Sequence, residues 1–464
     1  MIGRNAVART TALVVGLLLT FTACGGESEA TTSTTDAATT SSTTTTVPAP
    51  TTTSVAEADV QSEIDWFVAV LNGDELTEPV YEERFADAFR QEVTFADGIK
   101  PVLDQFRPAG PYAVVERTGE GAEGEAIIES ADGTRIRLVA ELDDQGRFAG
   151  LLLQPADAPT LDDPPESLEE AFDRLAELGT VGVISAELVG GECVAAAEIS
   201  PDEPIPLGSV FKLYVLAALG EAILDGQVAW DDEVTIREEL KSVPSGVLQD
   251  RPAGELVTVR EMAELMISIS DNTATDHLID LLGREWVEAI MADYGHSTPE
   301  LNTPLLSTRE LTALKVGPAS GLYVQWLDGD EQTRRDLLRQ ISDITPADLP
   351  IGEWTEPIEP DSVEWFASPQ DLCRLAIQLS ELADAVPEIG EILMVNPGVP
   401  PEPDTWDTTW FKGGSEPGLV AAWWVTQVEG STFVTTGSVV NPEKSFDSEE
   451  AILLFAAARD LLAP

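Results

Sequence analysis

Apolar positions along the chain recur with two periods, and the change from one to the other marks its elements. Residues 60–71 repeat apolar side chains at helical spacing, which predicts an amphipathic helix ending near Asn72-Gly73. Residues 82–93 continue the pattern with Phe85, Ala88 and Phe89 on one side, and 99–106 predict a third helix. From Tyr112 the period falls to two. Residues 112–117, 125–130, 135–141 and 147–153 read as strands, separated by Gly-rich and D-D-Q-G turns and by the hairpin signal Asp132-Gly133. Helices followed by a meander predict a small α+β domain over 58–158, and the prolines of 155–165 mark a linker.

Beyond the linker the pattern restarts. Ser167 caps a helix to Leu178 with Glu170 three residues on, and two strands follow, 180–189 and 193–199, joined at Gly190-Gly191. Residues 205–224 (I-P-L-G-S-V-F-K-L-Y-V-L-A-A-L-G-E-A-I-L) are apolar enough for a helix buried inside a domain, opening near Ser209. A helix over 258–269, capped by Thr258, runs into Ser270-Asp271-Asn272 and then a further helix to Leu282. Asp271 is expected to turn inward and hold that loop, leaving Ser270 and Asn272 to face a cleft. Thr409-Trp410-Phe411 leads a strand into Lys412, two more strands follow over 419–428 and 431–439, and 448–462 closes the chain as an apolar helix.

Composition narrows the chemistry. The chain has 464 residues, 43% of them hydrophobic, and a net charge of −57. So acidic a surface repels phosphate backbones, so no nucleic-acid partner is expected. With two histidines, His277 and His296, a multi-histidine metal site is nearly excluded, and no metal or cofactor is expected. His277 reads as a helix-surface or packed residue, and His296, in Y-G-H-S-T, as solvated. Arg4 and Arg9 precede a short apolar run, 12–21, ending in Phe-Thr-Ala-Cys24, which reads as a signal peptide over 1–23. Cys24 resembles the lipidated cysteine of a bacterial lipobox, with Phe21 departing from the usual Leu. Residues 24–57, rich in Thr and Ser, read as a flexible tether. The expectation is an extracytoplasmic protein, anchored to the cell membrane as a lipoprotein. Whether Cys193 and Cys373 pair, or stay as separate buried thiols, is left open.

Three short motifs carry chemistry. Ser209 and Lys212 stand three residues apart, aiming a hydroxyl and an amine at one place beside the positive end of a helix. That is a way to make a serine nucleophilic without histidine. In order, S-V-F-K, S-D-N within M-I-S-I-S-D-N-T-A-T-D-H-L, and K-G-G resemble the three motifs of serine β-lactamases and penicillin-binding proteins, class A in particular. The resemblance covers about 159–464. With the small first domain and the leader, the chain also looks similar to actinobacterial LpqF-like lipoproteins and to the esterase-type β-lactamase relative of the clavulanic acid gene cluster.

The resemblance implies an α+β chain: a steroid-isomerase or cyclase-like N-terminal domain, then a class A β-lactamase-like domain over 159–464. That second domain would hold an antiparallel sheet flanked by helices, plus an all-helical subdomain. It implies Ser209 as acylated nucleophile, Lys212 as its base, Ser270 as proton relay, Asn272 as partner of the substrate amide or of Lys212, and Lys412 as source of positive field. Backbone N–H groups of Ser209 and Ser415 would form the oxyanion hole, with Gly413 and Gly414 letting a substrate backbone come close. K-G-G replaces K-T-G or K-S-G, which removes a hydroxyl that helps hold a β-lactam carboxylate. Glu300, in Pro299-Glu300-Leu301-Asn302, is the candidate deacylation base, although the next helix starts too soon for a full-length loop of that kind. The third motif follows the second after a longer interval than usual, and the excess, in 317–365, could form a lid. The expected function is hydrolysis of an amide or ester, with a small molecule or cell-wall peptide as substrate. Two alternatives stay open: a retired enzyme that binds wall fragments or a partner, and a D-alanyl-D-alanine carboxypeptidase.

Overall fold

The computed structural model describes residues 59–130, 135–143, 145–156, 160–402 and 405–464. The expected leader, Cys24, the tether and the Asp132-Gly133 turn lie outside these. The chain divides into two compact units that part between Ala158 and Pro159.

In the first unit, helix α1 (Val60–Leu71) starts at Asp59, whose carboxylate accepts the Gln61 N–H. Strands β1 (Tyr112–Glu120), β2 (Glu123–Ser130), β3 (Arg135–Leu142) and β4 (Phe148–Pro155) form an antiparallel sheet in the order β1-β2-β3-β4. Ile64 and Phe67 of α1 pack with Phe85, Ile128, Leu138 and Phe148 in one core. The single helix expected over 82–93 is instead two short ones, Glu78–Arg84 and Asp87–Glu92. Phe85 between them is extended, bridges Phe148 of β4 and is fully buried. A backbone partner in the sheet outweighs local helical spacing there.

The second unit is built on a five-stranded antiparallel sheet. Helix α2 (Leu168–Leu178) precedes β5 (Thr180–Val189) and β6 (Glu192–Ile199). Later come β7 (Thr408–Glu416), β8 (Leu419–Val428) and β9 (Ser431–Val440), giving the order β7-β8-β9-β5-β6. In β8 the pleat sends neighbouring tryptophans to opposite faces, and both are fully buried. Trp424 joins Phe172 and Leu175 of α2, and Leu454 and Phe455 of the closing helix Ser448–Asp460. Trp423 joins the larger core, which holds the buried helix Lys212–Leu224 and the helices around it. The segment 317–365 is not a loose lid. Trp326, Leu337, Leu338, Ile341 and Leu349 sink into that larger core, and Trp365 stacks on Phe211 at 3.7 Å between ring centres.

Cys193 of β6 and Cys373 of the helix Pro369–Ala385 form a disulfide. The bond ties the sheet edge to a core helix across 180 residues of sequence, and loop-closure entropy assigns such a cross-link about 5 kcal/mol. Reducing it is expected to lower the thermal midpoint of this unit by about 10 °C. Melting followed by circular dichroism with and without reductant measures this, and an unchanged midpoint would contradict it.

Candidate active site

Ser209 does not sit on the α-helix itself. A 3-10 turn, Gly208–Phe211, delivers the chain into the helix Lys212–Leu224. Three residues per turn eclipse the side chains at i and i+3, so the turn stacks Ser209 over Lys212 more directly than an α-helix would. The turn begins where Ile205–Pro206 pairs with Phe366–Ala367, which anchors the entering chain.

Lys212 is fully buried, and three acceptors surround its amine. It donates to Asn272 Oδ1 at 2.6 Å, to the Ser270 carbonyl at 2.6 Å and to Ser270 Oγ at 3.0 Å. The Asn272 amide is oriented by its Nδ2, which donates to the Val243 carbonyl. From the sheet side, Lys412 of β7, also buried, donates to Ser270 Oγ at 3.1 Å and to the Gly413 carbonyl at 2.6 Å. One hydroxyl therefore lies between two buried amines. Ser209 and Ser270 are partly exposed and Ser415 is exposed, whereas both lysines are buried.

The loop that presents Ser270 is held in an unusual shape. Ser270 adopts φ +60°, a left-handed conformation that costs a non-glycine residue about 1–3 kcal/mol. Asp271 accounts for it. Its carboxylate caps the helix Asn272–Leu282 by accepting the Ala274 N–H, and its other oxygen accepts the N–H groups of Val247 and Leu248. With Asp271 pulled inward on three bonds, Ser270 is turned outward toward the lysines. Ser245 Oγ adds a bond to the Ser270 carbonyl.

The lysines are far from ordinary. Burial pulls the Lys212 amine down to about 7, against the opposing fields of Asp271 and Asp276. Lys412 falls well below the usual lysine range, first through burial and then through repulsion by Lys212. Asp276 belongs to none of the three motifs, and nothing in its local sequence marks it. It is buried, its own carboxyl is raised to about 6 mainly by desolvation, and it accepts from Thr308 and Arg309 at the start of the helix Thr308–Lys315.

The glycines of the third motif set the width of the site. A Cβ on Gly414 would lie 2.4 Å from the Leu207 carbonyl oxygen and 2.6 Å from the Ser209 nitrogen. Strand β7 thus passes against the backbone of the 3-10 turn, which brings the Ser209 and Ser415 N–H groups to neighbouring positions. Gly208, at φ +48°, meets the same strand from the other side. Gly413 differs. A Cβ there would lie 2.8 Å from the Phe411 ring tip, so that ring fills the space a side chain at 413 would take.

Two expectations need correcting. Glu300 lies apart from this cluster. It is exposed on the 3-10 turn Pro299–Asn302 and lines a surface pocket of about 680 Å³ with Glu285, Glu288, Glu331 and Arg334, to which neither Ser209, Lys212, Ser270 nor Lys412 contributes. His296 is buried, not solvated. It accepts the Thr298 N–H, binds the Phe366 carbonyl and so fixes the strand that pairs with Ile205–Pro206. His277 is packed: its Nε2 accepts the Arg237 N–H.

Comparison with known proteins locates this chain among others. A family model described as the beta-lactamase enzyme family matches residues 167–349, and one described as the ORF 12 gene product N-terminal region matches 55–148. No curated protein matches the chain. Among solved structures, a β-lactamase from Sphaerobacter thermophilus DSM 20745 is 20% identical, with 64% of this chain and 97% of that one covered at a TM-score of 0.46. An ancestral class A β-lactamase is 19% identical, covering 64% and 98% at 0.45. The structure of PBP-A is 18% identical, covering 66% and 97% at 0.41. The second unit has a β-lactamase-like α+β fold, an antiparallel sheet with helices on both faces.

Gly414→Ala is expected to cost about 2 kcal/mol of stability, because the added carbon meets the backbone of the 3-10 turn, which cannot yield as a side chain can. Gly413→Ala, which meets the tip of one ring and no backbone, should cost less, about 1 kcal/mol. Urea unfolding of the two variants decides this, and equal losses would contradict the close approach of β7 to the turn.

Proposed function

We propose that the second unit is an exported serine acyl-transfer enzyme, acylated on Ser209, that cleaves an amide or ester. The observation that carries the reading is the Ser270 hydroxyl between two buried amines of lowered basicity, at the foot of the turn that presents Ser209. A neutral Lys212 takes the proton of Ser209 Oγ as the oxygen attacks the acyl carbon. The N–H groups of Ser209 and Ser415 receive the developing oxyanion. Ser270, bonded to both amines, passes a proton to the leaving group, and the acyl group stays on Ser209 as an ester.

Hydrolysis of that ester is the slow half of the cycle on this reading. Of the carboxylates around the site, Asp271, Asp276 and Glu364 are each engaged by backbone N–H groups, and Glu416 is paired with the Lys315 ammonium. With Glu300 elsewhere, none of these is free to activate water. The missing hydroxyl at Gly413 favours an ester or peptide over a β-lactam. Relationship to LpqF-like lipoproteins, a steroid-isomerase-like first domain and lipidation at Cys24 belong to the same proposal. The disulfide supports an oxidising compartment outside the cytoplasm.

Incubation with penicillin G or 4-nitrophenyl acetate should leave an acyl mass on the peptide containing Ser209, and none in Ser209→Ala. The acylation rate should rise about tenfold per pH unit below 7, where the Lys212 amine is mostly protonated, and level off above about 7. Rapid-quench mass spectrometry across pH reads both. Absence of any adduct from either probe would end this reading. Glu300→Gln is expected to leave the deacylation rate within twofold of wild type.

A further inference from the structure

Three buried charges next to the site have no part in the chemistry above. Lys315 ends the helix Thr308–Lys315, Glu364 stands two residues before Phe366, and Glu416 ends β7. Their side chains are 0%, 1% and 5% exposed, so water does not solvate them. The Lys315 ammonium pairs with Glu416 and lies 3.6 Å from Glu364 Oε1. The other oxygen of Glu364 accepts from the Gly208 N–H at 3.2 Å and from the Trp365 N–H at 2.9 Å. Burial pushes Glu416 up to about 8, with Lys315 opposing and Glu364 adding to the rise. Burial raises the Glu364 carboxyl too, and one proton shared by the pair leaves a single negative charge to balance one ammonium.

The cluster's reach matters more than its charge. Glu364 holds Gly208, the residue immediately before Ser209. Glu416 is the residue immediately after Ser415. A buried ion cluster is a poor source of stability, since apolar replacements are often neutral or better. What apolar side chains cannot do is bond the Gly208 N–H and fix the strand end at a set distance from it.

We propose that Lys315 is a positioning residue that sets the separation of the two oxyanion donors, gripping the Ser209 turn through Glu364 and the Ser415 strand end through Glu416. The proposal rests on the acyl-transfer reading for its catalytic meaning. Its geometric content can be measured without it. In the full chain, Lys315→Met should speed amide hydrogen exchange about tenfold at both Ser209 and Ser415. Glu416→Gln, which keeps an acceptor for Lys315 and a donor for Glu364, should exchange like wild type. With 4-nitrophenyl acetate, Lys315→Met should lose about 100-fold in acylation rate constant, the scale of one lost oxyanion donor, while the probe's dissociation constant stays within twofold.

Unchanged exchange at either amide in Lys315→Met overturns the proposal, as does a loss carried by the dissociation constant with the rate constant intact. If Lys315→Met does not fold, Glu416→Leu takes its place, with faster exchange at Ser415 supporting the grip and unchanged exchange overturning it. If exchange quickens as expected while wild type takes no acyl group on Ser209, the grip stands and the acyl-transfer reading falls instead.

Discussion

An amine with no access to water is the constraint around which the second unit is arranged. Lys212 is fully buried, and a buried ammonium without compensation is expensive. Compensation comes from Asn272, from two atoms of Ser270 and from the fields of Asp271 and Asp276. Each of those groups is in turn fixed elsewhere: Asn272 by Val243, Asp271 by the 247–248 backbone, Asp276 by the helix that begins at Thr308. Strain at Ser270 and desolvation at Lys212 thus occur at one point, and the same bonds hold both. Local penalties of this kind persist only where the surroundings over-determine them.

The site lies on the seam between the helical region and the sheet. Lys212 and the S-D-N loop come from the helical side, and Lys412 comes from β7, the edge strand of the sheet. Their only shared side-chain partner among the described contacts is the Ser270 hydroxyl. An edge strand suits this place, because its free side leaves backbone groups open to a ligand instead of to another strand. Backbone-to-backbone approach at Gly414 then closes the seam without a side chain between.

Much of this was legible along the chain, for a physical reason. The buried helix after Ser209, the cap at Thr258 and the strand at Lys412 each rest on local periodicity or capping chemistry, and these show in a short window. Where the reading departed, the deciding partner was far away in sequence. Phe85 left its helix for Phe148, and His296 was buried by Phe366. Lys315, Glu364 and Glu416 come from three separate segments, and each alone looks like an ordinary solvated charge. The 3-10 turn at Ser209 was hidden for another reason: an i, i+3 pair shares a face in either kind of helix.

The Phe411 ring beside Gly413 makes the third motif a coupled pair of positions. Phe411 also packs on Trp424 in the layer beneath, with ring centres 4.6 Å apart, so it cannot swing aside freely. A mutational path that placed a hydroxyl at 413 would first have to shrink or relocate that ring, opening a hole over Trp424. Neither change alone is favourable. A lineage or a designer placing a side chain at 413 therefore faces a valley two substitutions wide, whatever the merits of the far side.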